Sequence, residues 1–532
     1  MIKEIYTMLV VGMTLIAGVC TPFSVSKINL KQQIEKTRLL NSDGDNKSLV
    51  EVLWHKNNDG GSFVLSTDVN HDGISDILVY KYALDGRTGN VVWTAEKGVV
   101  AGVGDVNNDD RDEVITKRDD RENHQGYTII YCLNSSNGKI LWQHRIISSW
   151  FFSVSIGNLT GNSSKEILIG LGDFAYRGNN YVYCLDGSNG SEIWKRHTSD
   201  CVLSTAIADL NNDGKNEAII GTRSNDPRVY CLRGNDGHIL WEFDSIPGHD
   251  DFRMLAVGNL TGDPCKEVVA SGSDHLYCLS GFNGSILWTF YNPYGSIQSV
   301  CIASMNNSIY KQVIVGGAGG IWCLKGERRI GGSRILWYHP TSGIGGIIMS
   351  LGIGDIDKNG LLDVVAKAFG PTLYALKGQD DPAHHGGETI WTFNAGGASS
   401  IHGVICVDLT NDAFPEVVVI NDNGEVYALF TNITPPVIEI ARPKDHYLYL
   451  FDREIMPVLG RTIIIGKIEI EIDAHEWLGN ISFYIDNGLK EIITRPPYIW
   501  LWDEKAIGKH VIKIRAYGKV PNDKLQIVIF NI

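Results

Sequence analysis

The chain repeats one phrase: an aromatic residue, a leucine two places on, a glycine-rich turn, and a tryptophan that ends the unit. Residues 209–241, DLNNDGKNEAIIGTRSNDPRVYCLRGNDGHILW, write it out in full with an acidic loop at the front. The closing tryptophans are Trp54, Trp93, Trp142, Trp194, Trp241, Trp288, Trp337 and Trp391, spaced 39 to 54 residues apart. The aromatics are Tyr82, Tyr131, Tyr183, Tyr230, Tyr277, Trp322, Tyr374 and Tyr427, each with a leucine at the second position after it, from Leu84 to Leu429. Alternate residues of an extended strand share a face, so aromatic and leucine mark one side of one strand. A period of this length, with four strands to the unit, is that of propeller blades, which bury their faces only against neighbouring copies.

The count closes only if the chain ends meet. Trp54 precedes every acidic loop, whereas the last unit has its loop at Asp408 and its third strand at 426–430 but no Leu-Trp strand. The N-terminal strand around Leu53 and Trp54 therefore completes the last blade and leaves no open edge. The expectation is an all-β chain whose residues 49–431 form an eight-bladed β-propeller. Its first blade should be distorted, since ILVYKYALDG at 77–86 leaves almost no turn between second and third strands. The prolines of TNITPP at 431–436 end the pattern. Residues 437–532 then offer seven short strands, VIEIARP, YLYLF, TIIIGKIEIEIDA, ISFYIDN, YIWLWD, HVIKIRAYG and LQIVIF, which suggest a β-sandwich. Ile481, Phe483, Ile485, Trp500, Trp502, Ile512 and Ile514 should supply its core.

Fifty-eight glycines and 9% aromatic residues suit such a chain. The formal charge of −14 argues against a nucleic-acid partner, because a phosphate backbone needs a basic surface. Residues 1–26 open with one early lysine and an apolar run from Met8 to Val19, signal-peptide length and short of the roughly 20 residues that span a bilayer. They read as a signal peptide or N-terminal anchor, and the polar residues 27–48 as a linker. The protein is expected to be secreted or at the cell surface, meeting a membrane only through that anchor. Ten cysteines in an exported chain would suggest disulfides. Yet Cys132, Cys184, Cys231, Cys278 and Cys323 occupy one repeat slot that Ala83, Ala375 and Ala428 fill elsewhere, which marks a small buried apolar position. Equivalent slots of packed sheets lie about 10 Å apart, beyond disulfide reach, so these five should be reduced.

The pairing of DxNxDGxxD loops with Y-x-L-x-G-x-x-G-x-x-x-W strands resembles the FG-GAP and quinoprotein-like (PQQ-like) repeat propellers, over residues 53–430. The stretches ISFYIDNGLK and PPYIWLWDEKAIGKHVIKIRAYG look like the immunoglobulin-like modules appended to prokaryotic surface and secreted proteins. The resemblance implies an immunoglobulin-like sandwich after the propeller and tryptophans that lock neighbouring blades. It does not imply the quinone: the cofactor site of the quinoprotein dehydrogenases often includes a disulfide between adjacent cysteines, and no adjacent pair occurs here. No PQQ is expected.

The loops carry the chemistry. Calcium takes six to eight hard oxygens, and oxygen side chains at loop positions 1, 3, 5 and 9 with a carbonyl at 7 can wrap them around one ion. Three loops have the full set: Asp68, Asn70, Asp72 and Asp76; Asp209, Asn211, Asp213 and Glu217; Asp355, Asp357, Asn359 and Asp363. A fourth, Asp105, Asn107, Asp109 and Glu113, keeps the ligands but has Asp110 where glycine would ease the turn. Structural calcium is expected in these four. The loops at Asp408, Asn158 and Asn259 decay in ligand quality, and the sixth, with Ser304, Asn306, Ser308 and Gln312, retains no carboxylate.

Catalytic spacings are absent, and His384-His385 stands in an inserted turn. Propeller ligands gather at one mouth of the central channel, where the innermost strands start. Trp150, Phe152, Asp251, Arg253, Gln298 and His402 are the ligand-binding candidates there. The sequence thus favours a non-catalytic recognition or scaffolding protein with an extracellular protein or polysaccharide partner. The alternative is a secreted carbohydrate-active enzyme, such as a polysaccharide lyase, working at the mouth.

Overall fold

The computed structural model of the chain describes residues 49–532 apart from 59, 61–62, 123–124, 148–149, 173–179, 224, 246–250, 306–309, 329–331, 379–385, 398–402, 433–437, 475–479, 487, 494–496, 518–521 and 532. The segments 1–26 and 27–48, His384, His385, His402, Asn306 and Ser308 therefore lie outside the described residues. The described chain is all-β: its one helical element is a single 3-10 turn, Ile344–Gly346, and none is long and apolar enough to cross a membrane.

Four-stranded antiparallel sheets follow one another along residues 50–431, each but the last a simple meander. Their first strands are Val64–Thr67, Val99–Gly104, Trp150–Gly157, Val202–Ala208, Met254–Gly258, Ile297–Ala303, Ile348–Gly354 and Val404–Val407. Each touches the next, and Val404–Val407 touches Val64–Thr67, so the series is a closed cycle, which is the arrangement of a propeller. The sheet begun by Val404–Val407 takes its outer strand from the other end of the chain. Val50–Asn57 pairs antiparallel with Glu425–Thr431. The first sheet forms with its two middle strands, Asp76–Val79 and Tyr82–Leu84, reduced to four and three residues around a turn in which Tyr80 takes a φ of 54°. Second strands such as Glu217–Thr222, Gln312–Gly317 and Glu416–Ile420 are buried from end to end, because neighbouring sheets cover both of their faces.

Register explains the slot that takes only cysteine or alanine. Cys132 pairs with Trp142, Cys184 with Trp194, Cys231 with Trp241, Cys278 with Trp288, Cys323 with Trp337, Ala375 with Trp391, Ala83 with Trp93, and Ala428 with Trp54. A small residue stands opposite every blade tryptophan. The five cysteines are buried free thiols, and burial raises their pKa values.

Each tryptophan also reaches into the following sheet. The indole N–H donates to the carbonyl of Gly86 from Trp54 (2.7 Å), Gly187 from Trp142 (2.8 Å), Gly234 from Trp194 (2.7 Å), Gly281 from Trp241 (2.7 Å), Gly326 from Trp288 (2.9 Å) and Gly378 from Trp337 (2.7 Å). Trp93 donates to the carbonyl of Ser135 and Trp391 to Oγ1 of Thr431. With Trp54 binding the first sheet from the last, these bonds run once around the cycle. In six of the turns a glycine is the seat for the ring, Gly89, Gly138, Gly190, Gly237, Gly284 and Gly387: a Cβ on Gly190 would lie 2.4 Å from Trp142, and one on Gly284 2.6 Å from Trp241, whereas Trp288 has the Arg334 guanidinium over it at 4.3 Å.

Beyond residue 437 the chain forms a three-stranded sheet, ordered Ile438–Arg442, Ile468–Ala474, Ile499–Trp502, and a mixed seven-stranded sheet. Ile481, Phe483, Ile485, Trp502, Ile512 and Ile514 are buried in one core with Tyr449, Ile464 and Ile470, and Trp500 packs against it half-buried. Among the described residues ten strands form where the sequence suggests seven. TIIIGKIEIEIDA divides into Thr462–Ile465 and Ile468–Ala474, which belong to different sheets, and Gly466 (φ 84°) makes the corner. Arg453–Pro457 and Gly488–Ile493 add edge strands.

Candidate metal loops and channel mouth

Each acidic loop links a first strand to a second, so all lie at one end of the cycle. The residue at loop position 2 is an apolar plug. Val106, Leu159, Leu210, Leu260 and Leu409 are buried and stand against Gly187, Gly234, Gly281, Gly326 and Gly86 of the following sheets. The residue at position 9 holds that plug by its backbone. Carboxylates of Asp76, Glu113, Glu166, Glu217, Glu267, Asp363 and Glu416 accept the N–H of Val69 (3.0 Å), Val106 (3.1 Å), Leu159 (2.6 Å), Leu210 (2.9 Å), Leu260 (2.6 Å), Ile356 (3.0 Å) and Leu409 (2.7 Å). In the sixth loop, which has no carboxylate, Gln312 Oε1 accepts from Met305 N–H at 2.8 Å. The last residue of the motif therefore braces the loop in every blade, a role that ligand spacing alone does not reveal.

The remaining ligand candidates fold their own backbone. Asp209 accepts from the N–H groups of Asp213 and Gly214, Asn211 Oδ1 from Asp213, and Asp213 from Lys215. Asp68, Asn70 and Asp72 repeat the set, as do Asp355, Asp357 and Asn359. The side-chain oxygens thus face the N–H groups of their own loop. In the fourth loop the Asn107 amide NH2 donates to Asp109 Oδ2 (3.2 Å) and Glu113 Oε1 (2.9 Å), while its Oδ1 is buried without a partner. The amide nitrogen occupies the place between two carboxylates that a cation would take, and a rotation of the amide would bring the orphaned oxygen there.

Asp355, Asp357 and Asp363 bring one carboxylate oxygen each within 4.8 Å of one another. Burial pushes Asp363 well above the usual carboxylate range, with Asp357 adding to the shift, and pushes Asp355 up to about 6. Burial likewise takes Asp76 to about 6 and Glu113 to about 7, and raises Glu217. Carboxylates so placed gain from any cation that joins them. Lys377, which the sequence reading did not single out, already sends Nζ to within 3.4 Å of Asp357 Oδ2, and Lys358 crosses to Asp412 of the next loop at 2.9 Å.

The described mouth candidates lie at the opposite end, where the first strands begin. Trp150 opens its strand, Gln298 is second in Ile297–Ala303, and Asp251 and Arg253 stand just before Met254–Gly258. Phe252 between them is fully buried, packed edge-on to Phe243 and Tyr277, and its carbonyl accepts from Ser204 Oγ at 2.7 Å. This anchor fixes the flanking pair, in which Arg253 Nη2 meets Asp251 Oδ2 at 2.6 Å. Gln298 Nε2 donates to Ser296 Oγ at 2.9 Å. Asp251, Arg253 and Gln298 are thus engaged within the chain.

The closed cycle of four-stranded sheets and the tryptophan bonds between them define a β-propeller. Residues 129–265 and 178–337 match the family described as outer membrane protein assembly factor BamB. No curated protein matches the chain. Among solved structures, Sqt1 of Saccharomyces cerevisiae shares the fold at 12% identity and a TM-score of 0.51, over 72% of this chain and 98% of its own. BamB from Moraxella catarrhalis aligns at 14% identity and a TM-score of 0.47, over 72% and 98%. The quinohemoprotein alcohol dehydrogenase of Comamonas testosteroni aligns at 12% and 0.46, over 74% and 78%.

Proposed function

We propose that this is an exported, non-catalytic recognition or scaffolding protein: an eight-bladed propeller stabilised by calcium, with an immunoglobulin-like module behind it, meeting a protein or carbohydrate ligand at the cell surface or outside the cell. The scaffolding part draws on the match of residues 129–337 to a family described as an assembly factor. The calcium part is carried by Asn107, whose amide nitrogen stands between Asp109 and Glu113 with its oxygen orphaned. Calcium would be held by Asp68, Asn70, Asp72 and Asp76, by Asp105, Asn107, Asp109 and Glu113, by Asp209, Asn211, Asp213 and Glu217, and by Asp355, Asp357, Asn359 and Asp363. Its contribution is structural: it fixes the corner between first and second strands, and in the loop that starts at Asp355 it displaces Lys377 from Asp357. A ligand would meet Trp150, Asp251, Arg253, Gln298 and His402 at the other end.

Titrating calcium into the metal-stripped protein by calorimetry should give saturable heat at or below millimolar calcium and a higher melting temperature. Absence of both removes the calcium reading. Incubation with a panel of polysaccharides should yield no unsaturated products; their appearance would replace the recognition reading with that of a lyase.

A further inference from the structure

The connector from the outer strand Ile286–Tyr291 to the inner strand Ile297–Ala303 runs at the mouth end of the propeller, and Tyr291 and Tyr294 on it are exposed at 55% and 60%. It lies within residues 281–310, GFNGSILWTFYNPYGSIQSVCIASMNNSIY, which hold no Asp, Glu, Lys, Arg or His in a chain that is 20% charged. An exposed tyrosine by itself is ordinary. Tyr294 differs in being fixed. Its N–H donates to Oδ1 of Asn292 at 3.0 Å, and Asn292, fully buried, donates Nδ2 to the carbonyl of Ala318 at 2.9 Å. The Tyr294 ring rests on Gly319, where φ is 88° and a Cβ would lie 2.5 Å from ring carbons. Tyr338 lies parallel to it, with centroids 6.3 Å apart, and is itself stacked on buried Trp322 at 5.0 Å and bonded through its hydroxyl to the carbonyl of Gly319 at 2.8 Å. A ring held from behind, yet open to solvent, has already lost the freedom that binding would otherwise take from it. Ser296 and Gln298, half-buried and bonded to each other at 2.9 Å, follow on the same segment. The turn that accepts the Asn292 N–H at the Asp274 carbonyl does carry charge, but Asp274 and His275 are paired with each other at 2.6 Å.

We propose that Tyr294 is a stacking platform for a neutral sugar ring, so that the ligand met at this end of the propeller is an uncharged polysaccharide. One face of a pyranose presents C–H groups whose hydrogens are attracted to the electron-rich face of an aromatic ring, while its hydroxyls seek hydroxyl and amide partners beside that ring. Ser296 and Gln298 are groups of that kind. Tyr291, with the His275 ring 5.0 Å from its own, is a second exposed ring three positions away, which suits a chain of sugars better than a single one. An acidic polysaccharide would need a basic group, which residues 281–310 lack. A protein interface draws on arginine as well as tyrosine and uses charge to set orientation, and this segment offers neither. The inference rests on the recognition reading and names its ligand class and one of its anchors.

The test is native electrophoresis of the full-length protein through gels that contain mixed-linkage β-glucan, galactomannan, xylan or dextran, with heparin and hyaluronan as acidic counterparts. At least one neutral polysaccharide should retard the protein, and neither acidic one should. Tyr294→Ala should weaken that retardation about tenfold or more, whereas Tyr294→Phe, which keeps the ring face, should stay within about threefold of the parent. Melting curves of both variants report whether each is folded, and Tyr294→Phe tests the ring even if the alanine variant is not. Undiminished binding by folded Tyr294→Ala would overturn the platform while leaving recognition at the mouth in place, and so would loss of binding in Tyr294→Phe equal to that in Tyr294→Ala. Retardation by heparin or hyaluronan alone, or by no polysaccharide, would overturn the neutral sugar as ligand.

Discussion

Lys367 is fully buried, and its Nζ donates to the carbonyls of Ala368 (2.9 Å) and Gly370 (2.6 Å). Burial lowers its pKa to about 8, against roughly 10.4 for a free lysine. Between those values the unfolded chain binds a proton that the folded protein does not, so stability rises with pH through this window. Below about pH 8 both states are charged and the burden is constant. Urea unfolding should therefore show the native protein gaining on the order of 3 kcal/mol relative to Lys367→Met between pH 7 and pH 10.5; parallel pH profiles would refute the assignment. A second residue separates bracing from metal binding. Gln312 already performs the brace without charge, accepting from Met305 N–H and donating Nε2 to Tyr310 O at 2.7 Å. Glu217→Gln should accordingly melt like the parent in chelator yet lose calcium affinity. Glu217→Ala, which leaves the buried N–H of Leu210 unpaired, should lose about 1–3 kcal/mol with or without calcium.

At the scale of the element, the unit is the turn glycine and the ring seated on it. Gly190 has a φ of 74° and would place a Cβ 2.4 Å from the Trp142 ring, whereas Gly161, at φ 80°, has open space around it. Gly161→Ala should cost only the left-handed backbone, about 1 kcal/mol. Gly190→Ala adds displacement of a packed indole and its bond to the carbonyl of Gly187, and should cost roughly 3 kcal/mol or more. Equal losses in thermal or urea unfolding would show that the ring is not seated as described. The same elements show what the sequence carried. Tyrosine, leucine and tryptophan were legible because packing on both faces permits few residue types there, and the alternation of cysteine with alanine marked the place opposite the tryptophan. The brace was less legible, since a carboxylate that accepts N–H groups looks the same in sequence as one that holds a metal, and Gln312 was its only sign. The corner at Gly466 was hidden because apolar alternation runs through Thr462–Ile465 and Ile468–Ala474 without a break. At the mouth, the same i, i+2 spacing pairs Asp251 with Arg253 and Ser296 with Gln298, but nothing local announced that Phe252 would be buried between the first two as their anchor.

For the whole molecule, the strand Val50–Asn57 decides whether the sheets form a ring or an open row. It is bound on both sides: Glu425–Thr431 pairs with it along its length, and Trp54 donates to Gly86 of the first sheet while resting on Gly89. Trp54, Val64, Ile77, Leu84, Leu409 and Val418 share one buried cluster, so the junction of the ring's two ends is core rather than surface. Each sheet buries its faces only against its neighbours and so depends on them for cover. Removing residues 1–57 exposes Glu425–Thr431 as an open edge and empties the seat at Gly89, which should lower the melting temperature, broaden the transition and promote aggregation through the free strand. A synthetic peptide of residues 49–58 should restore the transition in a saturable way, since the rest of the ring presents both of its partners. The same peptide with Trp54→Ala should bind far more weakly, because it keeps the strand pairing but loses the contact that joins last sheet to first. If the truncated protein melts like the full chain, or if both peptides rescue it equally, the ring does not depend on this junction.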